Sequence, residues 1–154
     1  MADLAMIDAF VAISQVNARF CRALDARDWA AFAALLTEDF VLDVGEDNQA
    51  IATIAGRDAA LAAVGQELQD ATIAHQIHVP EINLRGDEAS VIAAMQDEVV
   101  WAEPKNGVVS LNGYGQYHQR FVRANGAWKL AALKLTRFHV DVQRAASNTG
   151  QHSR

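Results

Sequence analysis

The chain has 154 residues, 51% of them apolar, and a formal net charge of −6 from 13 Lys and Arg against 19 Asp and Glu. This length and apolar content suit one domain with a substantial core, and the negative charge argues against a nucleic-acid partner or an anionic membrane surface. The single cysteine, Cys21, excludes an internal disulfide, and the lack of a basic-apolar leader or an 18-residue apolar run predicts a cytoplasmic protein.

The first part of the chain predicts two helices. Apolar residues recur at steps of three and four from about residue 4 to 25, and they are Ile7, Val11, Ile13, Val16, Phe20 and Leu24. Asp28 is typical of an N-cap. It predicts a second, short helix that carries Trp29, Phe32, Leu35 and Leu36.

A short strand and a third helix are predicted next. Residues 40–44 alternate in polarity, which favours a strand, and residues 45–55 show no period, which favours a loop. Gly56-Arg57-Asp58 begins the third helix. Its apolar stripe consists of Leu61, Val64 and Leu68.

The second half of the chain predicts β-strands. Residues 72–84 have period two around His75 and Ile77, and Pro80 indicates an edge strand or a bulge there. Long strands follow at residues 89–101, 108–123 and 128–141, and the turns between them contain Gly86, Gly107 and Gly126. Asn125-Gly126 between two apolar-alternating runs is a strong hairpin signal.

This element order predicts an α+β fold. A four-strand meander must bury one face, and three N-terminal helices are available to cover it. The strands exceed the usual length and must bend. We therefore expect a cone-shaped, curved antiparallel β-sheet packed on three helices, formed by one domain over residues 1–144, with a disordered tail over residues 145–154.

Asp25 and His75 form the first candidate site. Asp25 follows the apolar face of the first helix, and His75 alternates with Ile77 on a predicted strand. A carboxylate beside an imidazole fixes its tautomer and stabilises its charged form, which makes a better general base near neutral pH. The alternative is that Asp25 caps the helix or binds Arg27, and that His75 is a hydrogen-bonded core histidine.

The other histidines and glycines predict neither a metal nor a cofactor. His75 and His78 are three residues apart and would point to opposite faces of a strand. His118 and His139 fall on other predicted strands. Gly113-Tyr114-Gly115 lies inside a strand and lacks the third glycine of a dinucleotide-binding turn.

Tyr117 and the Asp97-Glu98 pair are further polar candidates. Tyr117 shares strand parity with Gly113, Gly115 and Phe121, so on an inward face its hydroxyl would reach the interior beside two glycines. An ordinary structural hydrogen bond is the alternative. Only one of Asp97 and Glu98 can point inward, where it would be a second acid/base candidate, and a solvent-facing charge is the alternative.

Several segments resemble the SnoaL-like family of the nuclear transport factor two-like superfamily. They are Phe20 with Leu24-Asp25-Ala26-Arg27-Asp28-Trp29, Leu36-Thr37-Glu38-Asp39-Phe40, Gly56-Arg57-Asp58-Ala59, Thr72-Ile73-Ala74-His75 and Gly126-Ala127-Trp128-Lys129-Leu130. Their order and spacing cover roughly residues 5–141. The fold that this resemblance implies is the α+β cone expected above.

Within the superfamily, the pattern is similar to scytalone dehydratase, hexachlorocyclohexane dehydrochlorinase and the bile-acid dehydratases. Those enzymes use an Asp–His pair to take a proton and drive elimination, which implies catalytic roles for Asp25 and His75. The resemblance places the family's arginine near the last hairpin on Arg123, where it would steady a leaving group or a substrate oxygen. Phe20 or Leu24 stands where dehydratases often have tyrosine, so Tyr117 is expected to supply a phenol from another direction.

The leading hypothesis is a cofactor-independent lyase or isomerase with a small hydrophobic cyclic substrate. His75 would take a proton from carbon, Asp25 would hold the imidazole, and Tyr117 or Arg123 would assist the oxygen or leaving group. The expected substrate-binding residues are Phe20, Leu24, Trp29, Leu42, Val64, Leu68, Ile77 and Gly115.

Two alternatives belong to other functional classes. A non-catalytic module would bind a small ligand or assemble as a homodimer or homotrimer through its open sheet face. The outward residues expected on that face are Gln116, His118, Arg120 and Arg137. A polyketide-cyclase-type enzyme would use an acid in a similar pocket for carbon–carbon closure.

Overall fold

Three helices and seven strands make up the part of the chain that the computed structural model describes, residues 4–45 and 53–146. The helices are α1 (Leu4–Asp25), α2 (Trp29–Ala34) and α3 (Arg57–Glu67). The strands are β1 (Leu36–Asp43), β2 (Thr53–Ala55), β3 (Ala71–Ile77), β4 (Glu81–Arg85), β5 (Glu88–Lys105), β6 (Val108–Ala124) and β7 (Ala127–Arg144).

The strands form one curved sheet in the order β2-β1-β7-β6-β5-β3, and β4 pairs with the other half of β5. The α+β class, with helices on a long curved sheet, is confirmed. The meander is antiparallel as expected, and the sheet as a whole is mixed because β1 pairs with β7 in parallel. The last strand of the meander, β7, thus lies beside β1 and runs in the same direction.

Two smaller expectations need correction. The loop expected over residues 45–55 contains β2, which pairs antiparallel with β1, and residues 46–52 lie outside the described residues. The strand expected over residues 72–84 is two strands, because the chain leaves the ladder around Pro80. Most of the tail expected over residues 145–154 also lies outside the described residues.

Helix α1 packs on the sheet through a narrower face than its sequence suggests. Ala9, Ile13 and Phe20 are buried in the core, whereas Ile7 is 49% exposed and Val11 is 51% exposed. Residues 7 and 11 lie about 200° around the helix from residues 9 and 13, which excludes them from the same face. By length and composition α1 could cross a membrane, but its inward face packs within this domain.

The two bulges in β7 decide which of its side chains face the helices. Ladder pairing passes from Arg120–Ala132 to Phe121–Leu130, so Ala131 is an extra residue, and Phe138 is extra in the same way. Each bulge reverses the alternation of side chains along the strand. Leu130 is therefore buried before the first bulge, and Leu133 and Leu135 are buried after it.

Candidate active site

A cavity of about 280 Å³ lies between the three helices and the concave face of the sheet. Its apolar walls are Phe20, Leu24, Phe32, Phe40, Leu42, Val44, Ile54, Ala60, Ala63, Val64, Leu68, Val99, Trp101, Leu111, Leu133 and Leu135. Its polar lining consists of Glu67, His75, Asp97, Tyr117 and Arg137. A concave apolar site with a few polar groups is the usual form of a small-molecule site.

The structure brings Asp25 and His75 together at this cavity. His75 Nδ1 lies 2.7 Å from Asp25 Oδ1, and the His75 backbone N–H donates to Asp25 Oδ1 at 3.1 Å and to Oδ2 at 3.0 Å. The side chains are 7% exposed for His75 and 28% exposed for Asp25. One carboxylate thus holds both the backbone and the ring of the same residue.

This contact decides which ring nitrogen of His75 is basic. An ionised carboxylate only accepts hydrogen bonds, so Nδ1 must carry the proton that points to Asp25. The lone pair is then on Nε2, which has no hydrogen-bond partner among the described residues. Because His75 lines the cavity, Nε2 is the basic atom available to a bound molecule.

Arg27 accounts for the way in which α1 meets β3. Its guanidinium donates to the carbonyl of Leu68 at 2.7 Å and to the carbonyl of Ala71, so the turn after α1 is fixed to the start of β3. Arg27 has a positive φ of 55°, which reverses the chain directly after Asp25. These bonds engage the Arg27 side chain with carbonyls, so the alternative of an Asp25–Arg27 pair is wrong.

Asp97 and Arg137 form a buried ion pair on the sheet side of the cavity. Arg137 Nη2 contacts Asp97 Oδ2, and the side chains are 4% exposed for Asp97 and 15% exposed for Arg137. Charges at such depth are stable only when they are paired. For Asp97, the alternative of a solvent-facing charge is wrong, and so is the outward position expected for Arg137.

Tyr117 lies inward, as its strand parity predicts, and is 4% exposed. Its ring meets the Phe20 ring edge-on, with centroids 6.0 Å apart. Burial raises the pKa of the Tyr117 hydroxyl, and the nearby Asp97 charge raises this pKa further. The phenol therefore stays protonated and acts in the cavity as a hydrogen-bond donor.

Arg123 is not part of the cavity. Its guanidinium contacts Asp87 Oδ1 at 2.6 Å on the surface and lies over the Trp128 ring, 5.4 Å from its centroid. The role predicted for Arg123 is wrong because this arginine lies on the surface beside the turn of the last hairpin. Arg137, which is on β7 and fourteen residues later in the chain, reaches the cavity instead.

Five of the eight predicted substrate-binding residues line the cavity, namely Phe20, Leu24, Leu42, Val64 and Leu68. Trp29 does not; it packs against Phe32 with ring centroids 6.4 Å apart. Ile77 lies instead at a second groove beside Cys21. A side chain at Gly115 would collide with the Thr136 carbonyl, so this glycine accommodates a bulge.

Sequence reasoning missed Arg137 as a site residue and undervalued Asp97. Asp97 shares its parity with the buried residues Met95, Val99 and Trp101, and this alternation is a signal that could have found it. For Arg137 the available signal is a change of phase in β7, where the large apolar residues pass from Trp128 and Leu130 to Leu133 and Leu135. Among the residues that the structure describes, no group of three or more His, Cys, Asp and Glu side chains could hold a metal ion.

A model of the SnoaL-like domain family matches residues 5–134 of the chain. The comparison with curated protein sequences finds no match. Solved structures do match, and their likeness to this chain is one of fold.

A provisionally named scytalone dehydratase from Novosphingobium aromaticivorans DSM 12444 superposes with a TM-score of 0.78 at 22% identity, over 99% of this chain and 100% of that one. A type 2 hexachlorocyclohexane dehydrochlorinase (LinA) gives 0.78 at 17% identity, over 94% and 95%. ActVI-ORFA from Streptomyces coelicolor gives 0.69 at 17% identity, over 86% and 98%. All three identities are below 25%.

Proposed function

The chain belongs to the SnoaL-like domain family, and we propose that it is a cofactor-independent lyase or isomerase of a small hydrophobic cyclic substrate. The observation that carries this proposal is the 2.7 Å contact between His75 Nδ1 and Asp25 Oδ1 at the wall of an apolar cavity. Two similar folds support it by name, a provisionally named scytalone dehydratase and a hexachlorocyclohexane dehydrochlorinase.

The first step that we assign is proton abstraction. His75 Nε2 takes a proton from a carbon of the substrate, and the imidazole becomes imidazolium. Asp25 keeps the ring in the tautomer whose lone pair is on Nε2, and its charge stabilises the imidazolium through the Nδ1–H bond. The apolar walls exclude water, which strengthens that electrostatic interaction.

Two other polar residues that line the cavity, Arg137 and Tyr117, can receive the charge that leaves the carbon. Arg137 presents a guanidinium that is permanently charged, and Tyr117 presents a phenol that remains protonated. Both can donate to a carbonyl oxygen, to a leaving hydroxyl or to a halide as negative charge develops there.

Burial and the Asp97 charge raise the pKa of Tyr117, so its phenol is protonated and can donate a hydrogen bond to a leaving hydroxyl. In a dehydration, the proton that departs with water comes from the His75 imidazolium, which returns to neutral imidazole. In an isomerisation, the same imidazolium returns its proton to another carbon, and no group leaves.

The size of the cavity limits the substrate. Ligand cavities in proteins commonly measure about 300–1,000 Å³, and this one is about 280 Å³. A molecule of one or two fused rings with few substituents fits such a volume, and a tetracyclic one does not. This observation favours the lyase or isomerase over a polyketide-cyclase-type enzyme.

The experiment that tests the proposal is a substrate screen in D₂O. Small cyclic ketones, alcohols and halides are incubated with the protein, and mass spectrometry measures deuterium gain, loss of water and loss of HCl. We expect at least one class of carbon acid to exchange or eliminate in an enzyme-dependent way. Binding of ring compounds without any exchange or loss across the three classes would contradict the proposal and favour a binding module.

A further inference from the structure

Gly113 occupies a cavity-facing position of β6 at which the backbone does not require glycine. It is directly opposite Asp97 in the ladder with β5, and its φ lies outside the left-handed region that favours glycine. Glycine inside a strand usually weakens it, because it loses more conformational entropy and packs no side chain. The reason for a glycine here must therefore lie in the space above it.

That space is filled by the buried ion pair. A Cβ atom built on Gly113 would come closer than 3.0 Å to both Asp97 Oδ1 and Arg137 Nε, and it would lie 3.1 Å from Arg137 Cδ. Real Cβ atoms do not show contacts under 3.0 Å. The charged ends of both side chains thus lie against the bare backbone of residue 113.

Gly115, the next glycine on the same face, is needed for a different reason. A Cβ on Gly115 would lie 2.9 Å from the backbone atoms Arg137 Cα and Thr136 C, so Gly115 makes room for the bulged backbone of β7. The atoms above Gly113 belong to the ends of flexible side chains. A methyl group at position 113 would therefore displace the ion pair and leave the backbone in place.

We propose that Gly113 is a positioning residue, which lets the Asp97–Arg137 pair lie flat on β6 and so holds the Arg137 guanidinium towards the cavity. This inference depends on the proposed function only in its assignment of Arg137 to a substrate oxygen. A one-methyl change at residue 113 turns that guanidinium without removing any charged group. Gly113 thus controls how well the cavity binds an oxygen that carries negative charge.

The test uses para-nitrophenol as the probe, because its phenolate absorbs strongly and carries its charge on oxygen. Gly113→Ala should weaken phenolate binding about tenfold, the usual worth of a charge-assisted hydrogen bond, while binding of neutral nitrobenzene changes little. Gly65→Ala is the matched control, because a Cβ there lies at an ordinary 3.6 Å from the Trp29 ring.

A double variant that lacks the ion pair distinguishes a positioning role of Gly113 from a general disruption of the cavity. Asp97→Asn with Arg137→Gln removes both charges together, which avoids leaving a buried charge unpaired. In that background, Gly113→Ala should change phenolate binding less than twofold, since the guanidinium through which it acts is gone. An equal loss in both backgrounds, or an unchanged affinity in the wild-type background, overturns the proposal.

The inference can also be tested without any ligand. The ¹⁵N resonance of the Arg137 Nε–H group should shift in Gly113→Ala and stay in place in Gly65→Ala. A crystal structure of Gly113→Ala with the ion pair unmoved would equally overturn the proposal. Neither readout depends on proton abstraction by His75, so this inference and the proposed function can fail separately.

Discussion

Asp25 holds His75 by three hydrogen bonds, one to the ring and two to the backbone N–H. The ring contact is 2.7 Å and the backbone contacts are 3.0 and 3.1 Å. Because two of the three bonds do not use the imidazole, the carboxylate keeps its position when the side chain at residue 75 is changed. The dyad can therefore be dissected by mutation without moving its other half.

We expect His75→Ala to lower kcat by about 10²–10⁴-fold, the range that a positioned general base contributes. The measurement is turnover of the substrate class that the D₂O screen identifies. The matched control is His139→Ala, since His139 is an exposed histidine whose ring bonds Asp141 at 2.9 Å. Comparable rates for His75→Ala and His139→Ala would exclude His75 as the base.

Asp25→Asn should disturb the His75 tautomer. An amide can donate to or accept from the ring, so the strong preference for a proton on Nδ1 is lost. Long-range ¹H–¹⁵N spectra of the imidazole should show one tautomer in the wild type and a mixture in the variant. The loss of a charged acceptor from a part-buried network should also lower the free energy of unfolding by about 1–3 kcal/mol. A wild-type ring with its proton on Nε2 would contradict the structure.

Substitutions at Arg123 and Arg137 should have clearly different effects on turnover. Arg123→Ala removes a surface ion pair with Asp87. The Arg123 side chain is 43% exposed and that of Asp87 is 70% exposed, so the loss should cost about 1 kcal/mol of stability or less and leave turnover unchanged. Arg137→Lys keeps a charge beside Asp97 but loses the planar fork. We expect kcat/KM to fall about tenfold or more. A larger loss of kcat/KM in Arg123→Ala than in Arg137→Lys would instead place Arg123 in the site.

Asn17 and Gln119 join α1 to β6 through two buried amide bonds. Asn17 donates to Gln119 at 3.1 Å, and Gln119 donates to Asn17 at 2.8 Å. Asn17→Leu alone leaves the buried Gln119 amide without its hydrogen-bond partner and should lower the free energy of unfolding by about 1–3 kcal/mol. The double variant with Gln119→Leu should recover much of that loss, because no buried polar group is left unpaired. Urea unfolding of Asn17→Leu, Gln119→Leu and the double variant measures this, and strictly additive losses would contradict it.

Cys21 should make the protein less stable in alkali. Burial, with a smaller effect of the nearby Asp25 charge, raises the pKa of its thiol from 9.0 to about 12. Above about pH 9 the unfolded chain loses this proton while the folded chain keeps it. The unfolded state then binds fewer protons, so stability falls as pH rises towards 12. Urea unfolding of wild type and Cys21→Ala between about pH 7 and 10 should show a smaller decline for the variant; parallel declines would contradict the shift.

The local pattern of the sequence predicted the three helices, the long strands and their turns, but it missed β2 and the break between β3 and β4. Asn106-Gly107 and Asn125-Gly126 have positive φ at both positions, which is the geometry that these dipeptides favour in two-residue hairpins. The Asp28 side chain accepts from the Ala31 N–H at 3.0 Å and caps α2 as expected. Such signals are local, because they depend on the conformations that one or two residues can adopt.

Only the tertiary structure decided which polar groups share the cavity. Arg137 faces inward because the extra residue Ala131 reverses the alternation along β7, and only the pairing with β6 fixes which residue is the extra one. The distance between Asp25 and His75 likewise depends on how α1 packs on β3, and the sequence does not contain it. The chain itself thus specified the residue types and faces, while the register of distant strands determined which of those faces meet.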